Sequence, residues 1–258
     1  MCGIIGIVSR NQIPIVGGAL KALKKLEYRG YDSAGYATAE GHVTKRAGQI
    51  SKLSAIVPKS ETSACAIAHT RWATHGCVTD INAHPHFNKK KDIFVVHNGI
   101  IENFRALQDM LERRGYEFIT QTDSEVIAHY FDLKLRKEGL DVRTALNSFL
   151  GDAKGTFAVI LLLKGKNELY AAKRNSPLAL GLCEDCNMLG SDIYAFSDRT
   201  RRAIFFDDDE FAVVRPDSYS FYDMAGVEIT KKIVNFKWTE DDASTERFDH
   251  FMIKEVHE

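Results

Sequence analysis

The order of hydrophobic periods constrains this chain more than any other feature. Short apolar, β-branched runs outnumber the helical periods, and the helical periods fall in two groups instead of alternating with the strands. Ile4 to Val8 is such a run, bounded by glycines, and reads as a buried strand. Pro14 then opens a helix whose apolar face is Ile15, Ala19, Leu20, Leu23 and Leu26, with Gly30 as its end. Ser33 to Ala47 predicts strands about a turn at Glu40-Gly41, and Cys65 to His69 and Ile93 to His97 predict two more. The second helical group comprises a helix over about Ile101 to Arg114, one that starts at Thr122/Asp123 with Asp123 placed as an N-cap, and one over Asp141 to Leu150. Strands follow at Thr156–Leu163, Leu169–Ala172, Ala203–Phe206, Phe211–Val214 and Ser218–Tyr222, and the tail from Thr245 reads as helical. An α+β layered fold fits this order; a doubly wound parallel sheet, which needs regular alternation, does not.

Several function classes fall away on composition. The 258 residues suit one large domain or two small ones, with enough chain to bury a sizeable core. The formal net charge is −1, and Lys89-Lys90-Lys91 is too short a basic run for a nucleic-acid or anionic-membrane partner. No apolar stretch approaches a membrane span, and Met1 to Val8 lacks a basic flank and reaches Ser9-Arg10-Asn11 too soon for a signal peptide. The five cysteines, odd in number and irregularly spaced, argue against a secreted disulfide framework. A reduced, cytoplasmic protein is expected, with Cys2 a free thiol. No phosphate-binding glycine motif follows a strand, so nucleotide binding has no support.

Cys2 is the first candidate for chemistry. A thiol needs a base to become the nucleophilic thiolate. Removal of Met1 would give Cys2 a free α-amine with a pKa of about 7.7–8.0, a base on the same residue. The competing reading makes Cys2 a small residue leading into a strand. Asn98-Gly99 lies between a strand and a helix pattern, where a side-chain amide and a backbone N–H side by side would form an oxyanion hole; elsewhere such a pair is a hairpin turn. Arg71 can clamp a carboxylate and Asp123 can answer an ammonium, as an amino-acid substrate requires. Against these stand a surface ion pair for Arg71, helix capping for Asp123 and a core position for Trp72. Cys183-Glu184-Asp185-Cys186 has metal-like spacing but no second pair to complete four ligands. His84 and His86, around Pro85, read as shaping a loop, and Arg201-Arg202 as a solvated turn.

Together these strings resemble the class II glutamine amidotransferases, whose glutaminase domains are N-terminal-nucleophile hydrolases. The resemblance rests on Met1-Cys2-Gly3-Ile4, LEYRGYDSAG from Leu26 to Gly35, AHTRWATHG from Ala68 to Gly76, NAHPH from Asn82 to His86, HNGIIEN from His97 to Asn103 and TDSEVI from Thr122 to Ile127. The second and third strings point to the sugar-phosphate branch, the glucosamine-6-phosphate synthases. From about Gly139 to Ser244 the likeness is one of pattern more than of motif.

What the resemblance implies is specific. The fold would be a four-layer αββα sandwich. Residues 1–244 would form the glutaminase domain, and 245–258 the start of a connector to a sugar isomerase domain that this chain lacks. Cys2 would attack the glutamine side-chain amide, and Asn98 with the Gly99 amide would hold the oxyanion. Arg71, Thr74 and His75 would take the α-carboxylate, and Asp123 the α-amine. Arg29 would help order the Cys2 terminus, and Trp72 would gate the ammonia path. No metal or organic cofactor is implied. L-Glutamine would be hydrolysed through a γ-glutamyl thioester, with fructose 6-phosphate as the acceptor in the two-domain relatives. Two other readings stay open: a glutaminase domain serving another acceptor, and a silent regulatory module of the same fold.

Overall fold

The structure, a computed structural model, describes residues 2–58, 61–74 and 76–236. The expected site residue His75 and the expected tail helix and connector lie outside these residues. Two antiparallel sheets dominate. Edge to edge, the first is β15 (Val234–Asn235), β11 (Arg202–Phe205), β9 (Ala179–Leu182), β10 (Cys186–Gly190), β1 (Gly3–Ile13), β4 (Ser63–Arg71), β2 (Ser33–Thr38) and β3 (Val43–Ala47). The second is β14 (Glu228–Ile229), β13 (Tyr219–Tyr222), β12 (Glu210–Val214), β8 (Leu169–Arg174), β7 (Gly155–Leu163), β6 (Ile93–Ile101) and β5 (His86–Phe87).

Helices cover both outer faces. On the first sheet lie α1 (Ile15–Lys24) and α2 (Ile50–Ser54), where Ile15, Val16, Leu20 and Leu23 pack with Ile5, Ile7, Ala66 and Ala68. On the second lie α3 (Phe104–Glu112), α4 (Glu125–Asp132) and α5 (Val142–Asp152), packed on Ile93, Val95, Val159 and Leu161. The opposite faces of the same strands, with Ile4, Val8, Ile67, Phe94, Val96, Ile160 and Leu162, fill the space between the sheets. This is the expected αββα sandwich. It also explains the apolar runs of the central strands: residues 4–8 of β1, 93–96 of β6 and 157–163 of β7 are buried on both faces and carry no polar side chain. Each such Ile or Leu contributes about 1.5–3 kcal/mol by its burial.

Some local readings need correction. The first helix ends at Lys24, and a 3-10 turn over Glu27–Arg29 separates it from Gly30. Strand β6 does not stop at His97 but continues through Asn98 and Gly99, paired with Ala158 and Phe157. Asp123 is not the N-cap of α4. Ser124 holds that place, without a side-chain capping bond, and the Asp123 carboxylate accepts from the Ile101 backbone N–H at 2.8 Å. Asp141, in contrast, does cap α5, accepting from the Arg143 and Thr144 N–H groups. The hairpin β9–β10 was not foreseen, because its residues carry no simple period-two pattern.

Candidate active site

The register of β1 against β4 places Cys2. Gly3 faces Thr70, and one step further the chain sets Cys2 beside the end of β4, where Arg71 leads into Trp72. The Cys2 sulfur accepts from the Trp72 backbone N–H at 3.2 Å and lies 3.5 Å from the Trp72 carbonyl oxygen. Burial pushes the Cys2 thiol above its ordinary pKa; the Trp72 N–H and the Arg71 charge pull it down, and Asp123 pushes it up. The net direction is upward, so the resting group is a protonated thiol that needs a base before it can attack. On the other side of β1, the Ile4 N–H donates to the Ser191 hydroxyl at 3.2 Å, which ties the terminus to the end of β10.

The second sheet supplies the facing wall. Asn98 is buried, and its Nδ2 donates to the Cys2 carbonyl oxygen at 2.8 Å. Gly99 has φ +117°, and a Cβ there would come within 2.0 Å of the Thr156 carbonyl oxygen. Only glycine fits both the conformation and the close approach. Asp123 lies behind this strand, 5% exposed, with one oxygen on Ile101 N–H and the other accepting from the Ser124 hydroxyl at 3.3 Å. Ser124 in turn meets His97 Nδ1 at 2.8 Å.

Arg71 is 3% exposed, and its guanidinium donates to the Cys77 carbonyl at 3.4 Å. Burial lowers its pKa, while Cys2, Asp32 and Asp123 raise it. A buried cation and a buried carboxylate of opposite sign therefore flank the thiol, the arrangement an amino-acid zwitterion would match. Trp72 and Thr74 are exposed on the segment after β4, with Trp72 edge-on to Tyr31 at 6.1 Å between ring centres. Arg29 pairs with Asp192 at 2.6 Å and with the Tyr28 hydroxyl at 3.1 Å, and the residue before Asp192, Ser191, accepts the Ile4 N–H.

Several positioning contacts had no local signal in the sequence. Asp32 accepts the Ala73 N–H at 2.8 Å, fixing the segment that carries Trp72 and Thr74. Asn82 donates to the Cys77 carbonyl and to Gln121 Oε1, both at 3.0 Å, while Gln121 N–H returns a bond to Asn82 at 3.0 Å. This clasp joins the Arg71–Asn82 segment to the residues preceding Asp123. His69, fully buried on β4, faces the His97 carbonyl oxygen at 3.0 Å. A carbonyl only accepts, so His69 Nε2 carries the proton there.

His69 belongs to a buried group of imidazoles. His84 lies 4.0 Å from it and 4.6 Å from His86 between ring centres, and 6.4 Å from His97. Burial holds all four below the ordinary histidine pKa, His69 at about 3. His84 and His86 thus do more than shape a loop: both are buried, with the His84 ring packed between His69 of β4 and His86 of β5. Among the described residues no three His, Cys, Asp or Glu side chains are arranged to hold a metal ion, and no helix is long and apolar enough to cross a membrane.

Comparison with known proteins places the chain in a family. A sequence model of the glutamine amidotransferase domain matches residues 69–198. The chain is 39% identical over 265 residues to the glutamine–fructose-6-phosphate aminotransferase (isomerizing) of Sulfurisphaera tokodaii, covering 100% of this chain and 45% of that protein. It is 42% identical over 264 residues to the protein of the same name from Aquifex aeolicus, covering 100% of this chain and 44% of the other. The chain thus spans a little under half the length of these relatives. Among solved structures, glutamine phosphoribosylpyrophosphate amidotransferase from B. subtilis aligns with a TM-score of 0.71 at 24% identity, over 86% of this chain and 49% of that one. At that identity the likeness speaks for the fold.

Proposed function

The chain belongs to the glutamine amidotransferase family, and from that membership we propose that it hydrolyses L-glutamine to glutamate and ammonia through a γ-glutamyl thioester on Cys2. The observation that carries the reading is the bond of 2.8 Å from Asn98 Nδ2, on β6, to the carbonyl of Cys2, just ahead of β1 in the other sheet. It sets an amide donor beside a thiol, between a buried Arg71 and a buried Asp123.

In this mechanism Met1 is removed and the Cys2 α-amine accepts the thiol proton. The sulfur adds to the γ-carbonyl carbon, and the oxygen takes up negative charge. Asn98 Nδ2 turns from the Cys2 carbonyl to that oxyanion, joined by the Gly99 N–H, in the way preorganised donors stabilise acyl transfer. The C–N bond then breaks as the leaving amine takes the proton held by the α-amine, which frees ammonia. Water attacks the thioester with the α-amine again as base, and glutamate leaves.

Arg71 with Thr74 and His75 holds the α-carboxylate, and Asp123 the α-amine. Trp72 gates the path of ammonia, and Arg29 steadies the terminus through Asp192 and Ser191. The reaction suits a reduced, cytoplasmic setting. Residues 1–244 form the glutaminase domain and 245–258 begin a connector to a sugar isomerase domain, where ammonia would convert fructose 6-phosphate to glucosamine 6-phosphate. The names of the relatives support that acceptor.

The test compares this chain with its Cys2→Ala variant, with and without fructose 6-phosphate. The chain alone releases glutamate and ammonia, makes no amino sugar, and is not stimulated by the sugar; the variant releases nothing above background while melting at the same temperature. Full glutamate release by Cys2→Ala would remove the mechanism, and amino-sugar formation by this polypeptide would place the acceptor site within it.

A further inference from the structure

We propose that Cys183 and Cys186 form a reversible dithiol–disulfide pair, a modification site on the β9–β10 hairpin, beside β1 well away from Cys2. The two residues close the tip of the β9–β10 hairpin. Asn187 faces Leu182, so the register brings Cys186 opposite Cys183 across the two-residue turn Glu184-Asp185, and the Cys183 N–H donates to the Cys186 carbonyl at 3.1 Å. Directly opposed residues of an antiparallel pair have Cα atoms about 4.5–5.5 Å apart, within the roughly 4.4–6.8 Å that a disulfide spans. Both cysteines are free thiols, Cys183 half-buried and Cys186 buried.

The surroundings divide the work between them. A hydrogen bond from the Cys186 thiol lowers the Cys183 pKa below its ordinary value, burial opposes this, and the Arg199 charge adds to the lowering. Arg199 is held over the tip by two bonds to the Asp185 carboxylate, each 3.0 Å. The same thiol–thiol bond, with burial, pushes Cys186 up. Cys183 is therefore the attacking sulfur and Cys186 the resolving one.

A low-molecular-weight disulfide is the oxidant. The Cys183 thiolate attacks one of its sulfurs; a mixed disulfide forms as the oxidant's S–S bond breaks and one thiolate leaves. Cys186 then gives up its proton and attacks the Cys183 sulfur. The intramolecular bond forms and the second small thiol departs. Two protein thiols are oxidised and one small disulfide is reduced to two thiols. Ser9 of β1 faces Cys186, six residues from Gly3, so at about 3.3 Å per residue the pair sits on the order of 20 Å from the proposed nucleophile. Oxidation of the pair is separate from catalysis, and its failure would leave the proposed glutaminase untouched.

The experiment equilibrates the full chain in glutathione buffers of rising disulfide fraction, blocks remaining thiols with N-ethylmaleimide, and reads the peptide holding both cysteines by mass spectrometry. The expected product is that peptide with two hydrogens lost and no label. Cys186→Ser should collect a glutathione adduct on Cys183, and Cys183→Ser should leave Cys186 unmodified, both variants releasing glutamate at the parental rate under reducing conditions. Two maleimide labels or stable glutathione adducts in the parental protein across the whole range would overturn the proposal, and an adduct on Cys186 in Cys183→Ser would overturn the assignment of the attacking sulfur.

Discussion

Replacing Asn98 by alanine deletes the Nδ2 donor that lies 2.8 Å from the Cys2 carbonyl oxygen in the resting protein. The cost to stability should be small. One neutral hydrogen bond is worth about 0.5–1.5 kcal/mol net. A change of about 1 kcal/mol follows. The cost to turnover should be much larger. In the proposed reaction the donor exchanges a neutral carbonyl for an oxyanion, and losing one such donor elsewhere costs about 2.7–4 kcal/mol, or 100- to 1000-fold in kcat. Gly99 still offers its N–H, so about 100-fold is the expectation. Steady-state glutamate release gives kcat and KM, and thermal melting on the same samples separates chemistry from folding. Asn98→Asp sharpens the test: its carboxylate has the same shape, accepts only and repels an oxyanion, so it should fall below the alanine variant. A normal kcat with a raised KM in Asn98→Ala would refute the oxyanion assignment.

Asp123→Asn should chiefly weaken glutamine binding, by about 1.5–3 kcal/mol for a lost charge-assisted bond to the ammonium; a kcat defect at unchanged KM would reassign Asp123 to the chemistry. An added residue before Cys2 converts its α-amine to an amide without basicity, so a protein whose intact mass shows such an extension should be inactive, and equal activity would move the base elsewhere. The four buried histidines predict acid lability. Their folded pKa values lie below the unfolded value, so the unfolded chain binds more protons as pH falls below about 6.5, and stability is lost from there toward the folded values. His69, held at about 3, stays neutral in the fold across that window. Each contributes up to about 1.4 kcal/mol per pH unit; urea midpoints at pH 7 and pH 5 measure the sum, and equal midpoints would mean these rings are not held neutral by the fold.

The sequence by itself determined what depends on short stretches of chain. A stretch buried on both faces is apolar at successive positions, so residues 93–96 of β6 and 157–163 of β7 announced themselves, and the helical period from Asp141 to Leu150 announced α5. The chemistry proposed for Cys2 rests on short range too, since the thiol and the α-amine belong to one residue. Tertiary structure alone decided which polar side chains find each other. Asn98 reaches Cys2 across 96 positions, and Ser191 reaches Ile4 across 187. The first contact needs the two sheets to close on one another and the second needs β10 to pair with β1, because a buried donor takes whichever acceptor the packing brings within reach. Asp123 shows the consequence. Its place before an apolar helical period predicts a cap, yet the sandwich offers its carboxylate the Ile101 N–H of the neighbouring strand, and it bonds there instead. The histidines of NAHPH and AHTRW carry no sign in the sequence of being buried together; only the packing of β4, β5 and β6 excludes water from them and holds them uncharged.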